Sequence, residues 1–367
     1  MNTLHKALAA AALLVSAAGP AAAQGNFGGL IPDENSTPTR QGTRGANFLE
    51  IGVDARGNAM AGAVVSWTDS PSALYWNPAG VANIETFSVE AARQNLYADL
   101  DIAHNFAGLA MPAFGGVFGA HIITLNSGDI ERTTPAFPEG GDPQYGRTFT
   151  WTSTAVGLSY GRRLTDRLSL GATAKVVSEG LTDAKTTWGA VDVGTQFNTG
   201  IYGITLGAAV LNVGPASEAR GTGVRRNVDT DEFLNRRQQV EFATESTELP
   251  TLFRFSVGMD LLGRASSVLS TDPRHRLLAE AAFNDAIDTD LQFAGGLEYS
   301  FNNFVFLRGG KRFFNDDRAT GERGMYGLSG GAGLRVPFAG RALKFDYAYT
   351  SLGDLDNVQV FTLGFGR

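Results

Sequence analysis

The chain has no cysteine among its 367 residues. That excludes a disulfide framework and any thiolate metal site. Histidine is nearly as scarce, and of the four, His104, His121 and His275 are scattered while His5 sits at the extreme N-terminus. No pair of them has metal-ligand spacing, and no serine beside them lies in a nucleophile-elbow motif. His104 and His121 fall on early strands but lack catalytic companions. Asp129 and Glu131, near Asp142, read as solvated loop acids rather than a calcium site. No enzyme, metal or cofactor is expected. Long apolar runs are missing too. After the N-terminus nothing approaches the ~20 apolar residues of a membrane-spanning helix. With a net charge of -7 and a pI of about 5.2, nucleic acid is not expected as a main partner.

What is present is a leader and then alternation. Lys6, the apolar run Ala7 to Ala18, and Ala21-Ala22-Ala23 before Gln24 form a secretory signal peptide, residues 1–23, with cleavage expected after Ala23. From residue 86 onward, about fourteen segments alternate between apolar and polar side chains. In Phe253-Arg254-Phe255-Ser256-Val257-Gly258-Met259-Asp260-Leu261 the odd positions are apolar and the even ones are charged, polar or glycine. Leu291, Phe293, Leu297 and Tyr299 against Gln292, Glu298 and Ser300 repeat the pattern, as do Leu343, Phe345, Tyr347 and Tyr349 against Lys344, Asp346 and Thr350. Neighbouring side chains of a strand point to opposite faces, so each segment has one apolar and one wet face. Glycine, at 46 of 367 residues, exceeds the usual ~7% without a collagen period, which suits tight turns and close-packed strands.

Loop lengths complete the reading. Strands are expected near 86–97, 102–112, 116–126, 150–162, 167–179, 185–198, 200–212, 250–262, 275–285, 290–301, 304–314, 324–336, 341–351 and 357–366. The long connections, 127–149, 213–249 and 315–323, all follow odd-numbered strands. Those after even-numbered strands are tight, such as Asn198-Thr199-Gly200, Asn302-Asn303 and Pro337 to Gly340, with 263–274 the exception. Outer-membrane barrels have this parity, with long loops outside and short turns in the periplasm. The fold class expected is an all-β transmembrane antiparallel barrel of about fourteen strands over 86–367. The C-terminal strand, with Phe361, Leu363 and Phe365 alternating to the end, fits outer-membrane assembly.

Residues 24–85 precede the barrel. The first part, 24–47, is rich in Gly, Pro, Asn and Thr and reads as extended. Residues 48–85 are small-residue-rich and then helical, with Asp69 or Ser70 as a cap before Pro71, and Asn77-Pro78 as a second start. The piece is too small for its own core. The barrel lumen is where it would bury itself, as a plug. The run Gly52 to Gly62, then Asp69-Ser70-Pro71-Ser72-Ala73-Leu74-Tyr75-Trp76-Asn77-Pro78-Ala79-Gly80, resembles the N-terminal signature of the PorV/PorQ family, within the wider FadL-like outer-membrane group. Arg56, Met60, Gly62, Asp69, Asn77, Pro78 and Gly80 are among the matching positions, while Asp54, Ala61 and Ser70 depart from the pattern. The resemblance implies a fourteen-stranded barrel with an N-terminal plug. It also implies two jobs: partner or shuttle in type IX protein secretion, meeting a translocon or a cargo's C-terminal domain, or passage of hydrophobic molecules as in FadL-type members.

Mid-strand charges on the wet faces would cost up to several kcal/mol each against lipid. Arg254, Asp260, Glu280, Glu298, Arg308, Lys344 and Asp346 are therefore expected to line the lumen, pairing across it and holding the plug. Their mixed signs argue against a simple ion-selective pore. Phe304 and Phe306, on a face with Arg308 and Arg312, hint at an apolar pocket; the other wet faces look polar or small. The charged loop 213–249 is a candidate docking element or a solvated surface. On these grounds the first expectation is an outer-membrane secretion partner, with lipid and a secretion complex as its partners. The alternative is a FadL-like transporter of hydrophobic small molecules.

Overall fold

The computed structural model describes residues 42–97, 101–141, 147–181, 183–231, 236–263, 267–269, 272–289, 291–313, 327–352 and 357–366. The expected signal peptide lies outside them, as does Asp142. Among the described residues nineteen strands follow one another. Fourteen of them make the wall: β1 (Ser88–Leu96), β2 (Ile102–Ala113), β3 (Gly116–Asn126), β6 (Thr152–Arg163), β7 (Leu168–Gly180), β8 (Lys185–Asn198), β9 (Thr205–Val213), β13 (Leu252–Leu262), β14 (His275–Ala286), β15 (Gln292–Phe301), β16 (Val305–Phe313), β17 (Leu328–Phe338), β18 (Arg341–Ser351) and β19 (Asn357–Gly366). The other five are short and sit in two long connections: β4 (Ile130–Glu131) with β5 (Thr148–Phe149), and β10 (Ala219–Arg220) with the hairpin β11 (Arg225–Asp231) and β12 (Arg236–Glu241). Every neighbouring pair in the wall is antiparallel. β19 returns to β1 through Val89 opposite Phe365, and β9 meets β13 through Leu211 opposite Leu252, so the sheet closes. Closure leaves no open edge.

The expected strands and the observed ones agree in number and nearly in bounds. Two turns differ. The connection after β8 is six residues, 199–204, not the tight Asn198-Thr199-Gly200, because Thr199 and Ile201 bond Ile204 before β9 begins. Pro337 lies within β17, and the turn to β18 is Ala339-Gly340 alone, both at positive φ.

Alternation sets the two faces. Leu297 is 51% exposed while the adjacent Glu298 is 5% exposed. Phe345 and Phe361 point outward, Asp346 and Thr362 inward. The barrel thus wears its apolar side chains outside and its polar ones inside, an arrangement for lipid rather than water.

Residues 42–85 fill the lumen. A 3-10 turn, Asn47–Glu50, is followed by a helix, Ala55–Ala59, whose first turn is capped by Asp54 through Gly57 N–H. A second short helix, Ala73–Trp76, begins from a turn at Pro71, and neither Asp69 nor Ser70 caps it. Asn77 does cap the next 3-10 segment, Pro78–Asn83, with Pro78 at its first position. Most side chains of this stretch are buried. Wall glycines allow the close approach: a Cβ on Gly310 would stand 2.5 Å from the Met60 carbonyl carbon, and one on Gly296 2.8 Å from Met60 Cβ.

Candidate functional site: the plugged lumen

One side of the lumen, formed by β13 to β18, is charged. Arg56 of the first plug helix donates to Glu298 at 2.8 Å and to the Trp67 carbonyl at 3.0 Å. Glu298 also accepts from Arg308 at 2.7 Å, and Arg308 donates to Asp346 at 2.5 Å. Lys344 ends this chain, 3.4 Å from Asp346. Burial works against the Arg56 charge, but Glu298 outweighs it and holds the guanidinium protonated more firmly than usual. One strand away, Glu280 accepts from the Ser66 N–H at 2.8 Å and from the Ser256 hydroxyl at 2.7 Å. Arg254 donates to the Tyr75 carbonyl and hydroxyl and lies over the Tyr75 and Trp76 rings, 4.5 and 4.8 Å from their centroids. Asp260 pairs with Arg276 of the wall at 2.7 Å. Thus Arg254, Glu280 and Glu298 bind the plug directly, Asp346 acts through Arg308, Lys344 joins Asp346 and also acts on Asp69 of the plug, and Asp260 holds Arg276, which lies over the Trp67 ring.

The remaining plug positions are structural in geometry. Met60 is fully buried between Gly296 and Gly310. Gly62 has φ +90°, a conformation that favours glycine. The Asn77 amide donates to the carbonyls of Val65 and Thr195, joining two parts of the plug to the wall. Pro78 and Gly80 sit in the capped turn, Gly80 against Ala73 and Thr68. Asp69 is exposed at the short-turn mouth. Its partial withdrawal from water raises the carboxyl, but Lys344, Arg56 and Arg335 outweigh that and hold it below the ordinary range.

The opposite side of the lumen departs from expectation. Phe106 on β2, Ile123 on β3, Ala155 on β6, Val177 on β7 and Trp188 on β8 point inward and are buried. Phe48 and Leu49 of the plug pack into them. The apolar lumen patch is therefore here rather than at Phe304 and Phe306. Phe304 lies in a turn and is exposed; Phe306 is buried beside Arg308. Periodicity concealed the patch because Ile122-Ile123 and Val176-Val177 put apolar residues on both faces. On this side Lys175 pairs within the wall, donating to Asp192 at 2.8 Å and to Asn212 at 2.5 Å. His104 and His121 are buried in the lumen, His104 against Gln94.

Two cavities lie at opposite ends of the plug. The one at the long-loop end, about 320 Å³, is bounded by Glu50, Ile51, Trp76, Arg254, Asn284 and Leu352 among others. The one at the short-turn end, about 430 Å³, is polar, with Trp67, Asn83, Arg163, Arg167 and Gln196 in its walls. Glu50 marks the upper cavity. Its burial, with Asp288 opposite, pushes its carboxyl up to about 7.

Known structures share this architecture. The Ralstonia pickettii toluene transporter TbuX aligns with a TM-score of 0.51 at 12% identity, over 86% of this chain and 97% of TbuX. The Pseudomonas putida toluene transporter TodX aligns with a TM-score of 0.50 at 9% identity, over 86% and 96%. A Pseudomonas aeruginosa FadL homologue aligns at 0.47 and 15% identity, over 85% and 97%. No family model matches the sequence, and no curated protein matches it. At such identities the first two alignments establish the fold, a closed fourteen-stranded antiparallel barrel.

Proposed function

We propose that this protein is an outer-membrane barrel for uptake of hydrophobic small molecules, with 1–23 as a cleaved export signal, 24–85 as extended segment and plug, and 86–367 as barrel. The observation that carries this reading is the inward apolar patch of Phe106, Ile123, Val177 and Trp188, filled by Phe48 and Leu49. A polar-lined diffusion pore has no use for such a patch, whereas a route for apolar molecules needs one. The likeness to two toluene transporters supports it at the level of fold. The test is uptake of labelled toluene and of a labelled long-chain fatty acid by cells that do or do not make the protein. Faster uptake of either is expected, and equal uptake of both would overturn the reading.

A second reading rests on the resemblance of the N-terminal segment to the PorV/PorQ signature and on the hairpin β11–β12, which stands on the loop side. Under it the barrel is a secretion partner, and the charged loop orients a protein. Co-purification of a protein partner from detergent extracts, lost when 218–240 is replaced by a Gly-Ser linker, would favour this reading over transport.

A further inference from the structure

The cavity at the short-turn end is built from the feet of four neighbouring strands. On β6, β7 and β8 the inward residues Arg163, Ser169 and Gln196 stand opposite one another in register, and Asn198 stands opposite Thr205 of β9. Adjacent strands lie ~4.8 Å apart, so these side chains form one short row at the foot of the lumen. The plug closes the other side with Trp67 and Asn83, and the β6–β7 turn adds Leu164 and Arg167. A volume of about 430 Å³ is that of a small-molecule site. Its polar groups are unequally engaged. Gln196 donates to the Val65 carbonyl at 3.2 Å and accepts from the Asn83 amide at 2.8 Å. Asn83 also donates to the Thr68 carbonyl at 3.1 Å, which fixes the plug to this part of the wall. Ser169 and Thr205 are each 7% exposed and line the cavity, yet among the described residues their hydroxyls bond no protein group. Buried hydroxyls ordinarily have partners, so two without one at the same cavity mark it as made for a ligand.

The chemistry of that ligand follows from the groups left over. Arg163 has no carboxylate partner among the described residues. Arg167 donates only to the Thr199 carbonyl, at 3.3 Å, and rests against Gly200. The Asn198 oxygen already accepts from the Gly200 N–H at 2.8 Å, which leaves its amide hydrogens. With the two hydroxyls, the free groups are mainly donors. Two guanidinium groups against the single carboxylate of Asp166 leave the walls with one net positive charge. Trp67 and Leu164 supply apolar surface. Donors converging from several strands suit a tetrahedral oxyanion, whereas one guanidinium fork already matches a planar carboxylate. We infer that this cavity binds a small soluble phosphomonoester with an apolar body, its phosphate held by Arg163, Ser169, Asn198 and Thr205 and its body by Trp67 and Leu164. The wall strands stand between the cavity and lipid, and the volume is too small to enclose a two-chain phospholipid. The site lies apart from the apolar patch of Phe106 and Trp188 and does not depend on the transport reading.

Titration of the full chain in detergent with phenyl phosphate, followed by phosphorus NMR linewidth, tests this. Saturable binding is expected. Arg163→Gln is expected to weaken it roughly tenfold or more, and Ser169→Ala roughly threefold. Arg162→Gln removes the neighbouring arginine, which points to the outer face, and is expected to leave binding unchanged. Benzoate is expected to compete at least about tenfold less well than phenyl phosphate. A measurement without variants guards against loss of folding. Phenylglyoxal labelling of the native chain, read by peptide mass spectrometry, is expected to be blocked by phenyl phosphate at Arg163 and not at Arg162. No saturable binding, equal weakening by Arg162→Gln, or no protection of Arg163 would each overturn the site. Benzoate binding as tightly as phenyl phosphate would overturn the phosphate assignment. Displacement of phenyl phosphate by phosphatidic acid in nanodiscs would overturn the soluble ester in favour of a lipid headgroup.

Discussion

The two halves of the lumen hold the same short segment by different physics. Against β13 to β18 the plug is held by directed charge: Arg56 to Glu298, Ser66 to Glu280, Arg254 to Tyr75. Against β2, β3 and β6 to β8 it is held by burial of Phe48 and Leu49 and by uncharged hydrogen bonds, Asn77 to the Thr195 carbonyl and Asn83 to Gln196. The charged half fixes position, since a guanidinium and a carboxylate bond well only at one geometry. The apolar half contributes burial, roughly 25 cal/mol per Å² of surface removed from water, and little direction. A plug held by charge alone would risk unpaired buried ions whenever it shifted. One held by burial alone could slide.

Removing the centre of the charged half should have the largest effect. Glu298 receives Arg56 and Arg308 together. Glu298→Ala leaves Arg56 with only the Trp67 carbonyl among these partners, while Arg308 keeps Asp346. Breaking a buried pair by deleting one partner costs ~3–5 kcal/mol. Ion conductance of the barrel in planar bilayers should therefore rise sharply, and amides of 55–60 should exchange faster. A closed, protected plug in this variant would show that the apolar half suffices.

The apolar half comes next. Leu49→Ala deletes a side chain that is 3% exposed, at a cost of ~2–4 kcal/mol for a core truncation. Exchange should rise over 44–51 and leave 55–60 protected, the reverse of the Glu298 variant. Identical profiles for the two would mean that the plug seats as one unit and the halves are not separable.

That division also decided what was legible beforehand. The charged half could be read because Arg254, Glu298 and Asp346 each interrupt an apolar alternation, and a charge facing lipid is too costly to be an alternative. The fourteen wall strands and the parity of their loops could be read for the same reason. The apolar half could not. In Ile122-Ile123 and Val176-Val177 each face is apolar, so the pattern names no inward residue. Nor does sequence show that Phe48 would find Trp188, 140 positions away by number. Residue types marked Gly62 and Asn77 as special, and their geometry gives the reasons: a positive φ and a cap. The bond from Gly45 N–H to the Glu248 carbonyl carries no local signal, because a backbone bond leaves none.

Close approach gives a smaller, sharper test on the charged side. Gly310→Ala would put a Cβ 2.5 Å from the Met60 carbonyl carbon and 2.8 Å from Ala61 N, both backbone atoms that cannot swing aside. Overpacking of this kind costs ~1–3 kcal/mol. Gly309→Ala, whose Cβ would stand 3.9 Å from the Ser329 carbonyl oxygen, is the control on the same strand. Conductance should rise for the first and not for the second. Equal behaviour would mean the Met60 turn does not rest on β16.

The smallest effect expected is on pH, and it falls where the two halves meet. Glu50 lies at the end of the 3-10 turn that carries Phe48 and Leu49, yet it faces Asp288 and Arg254 of the other side. Burial, then the Asp288 charge, raise its carboxyl from 4.5 to about 7. An acid with a raised pKa in the seated state binds its proton more tightly seated than released. Seating is therefore independent of this group below about 4.5, weakens as pH rises from there to about 7, and stays at the weaker level above, when both states are ionised. The direction is opposite to that of a carboxylate held charged by nearby cations, such as Asp69, whose contribution would be lost on acidification. Exchange of the 44–51 amides, corrected for intrinsic base catalysis, should quicken between these pH values in the native chain. In Glu50→Gln, which mimics the protonated acid, the corrected rate should stay flat across that window. A variant that retained the full pH response would assign it to another group and leave Glu50 as a plain polar contact at the cavity wall.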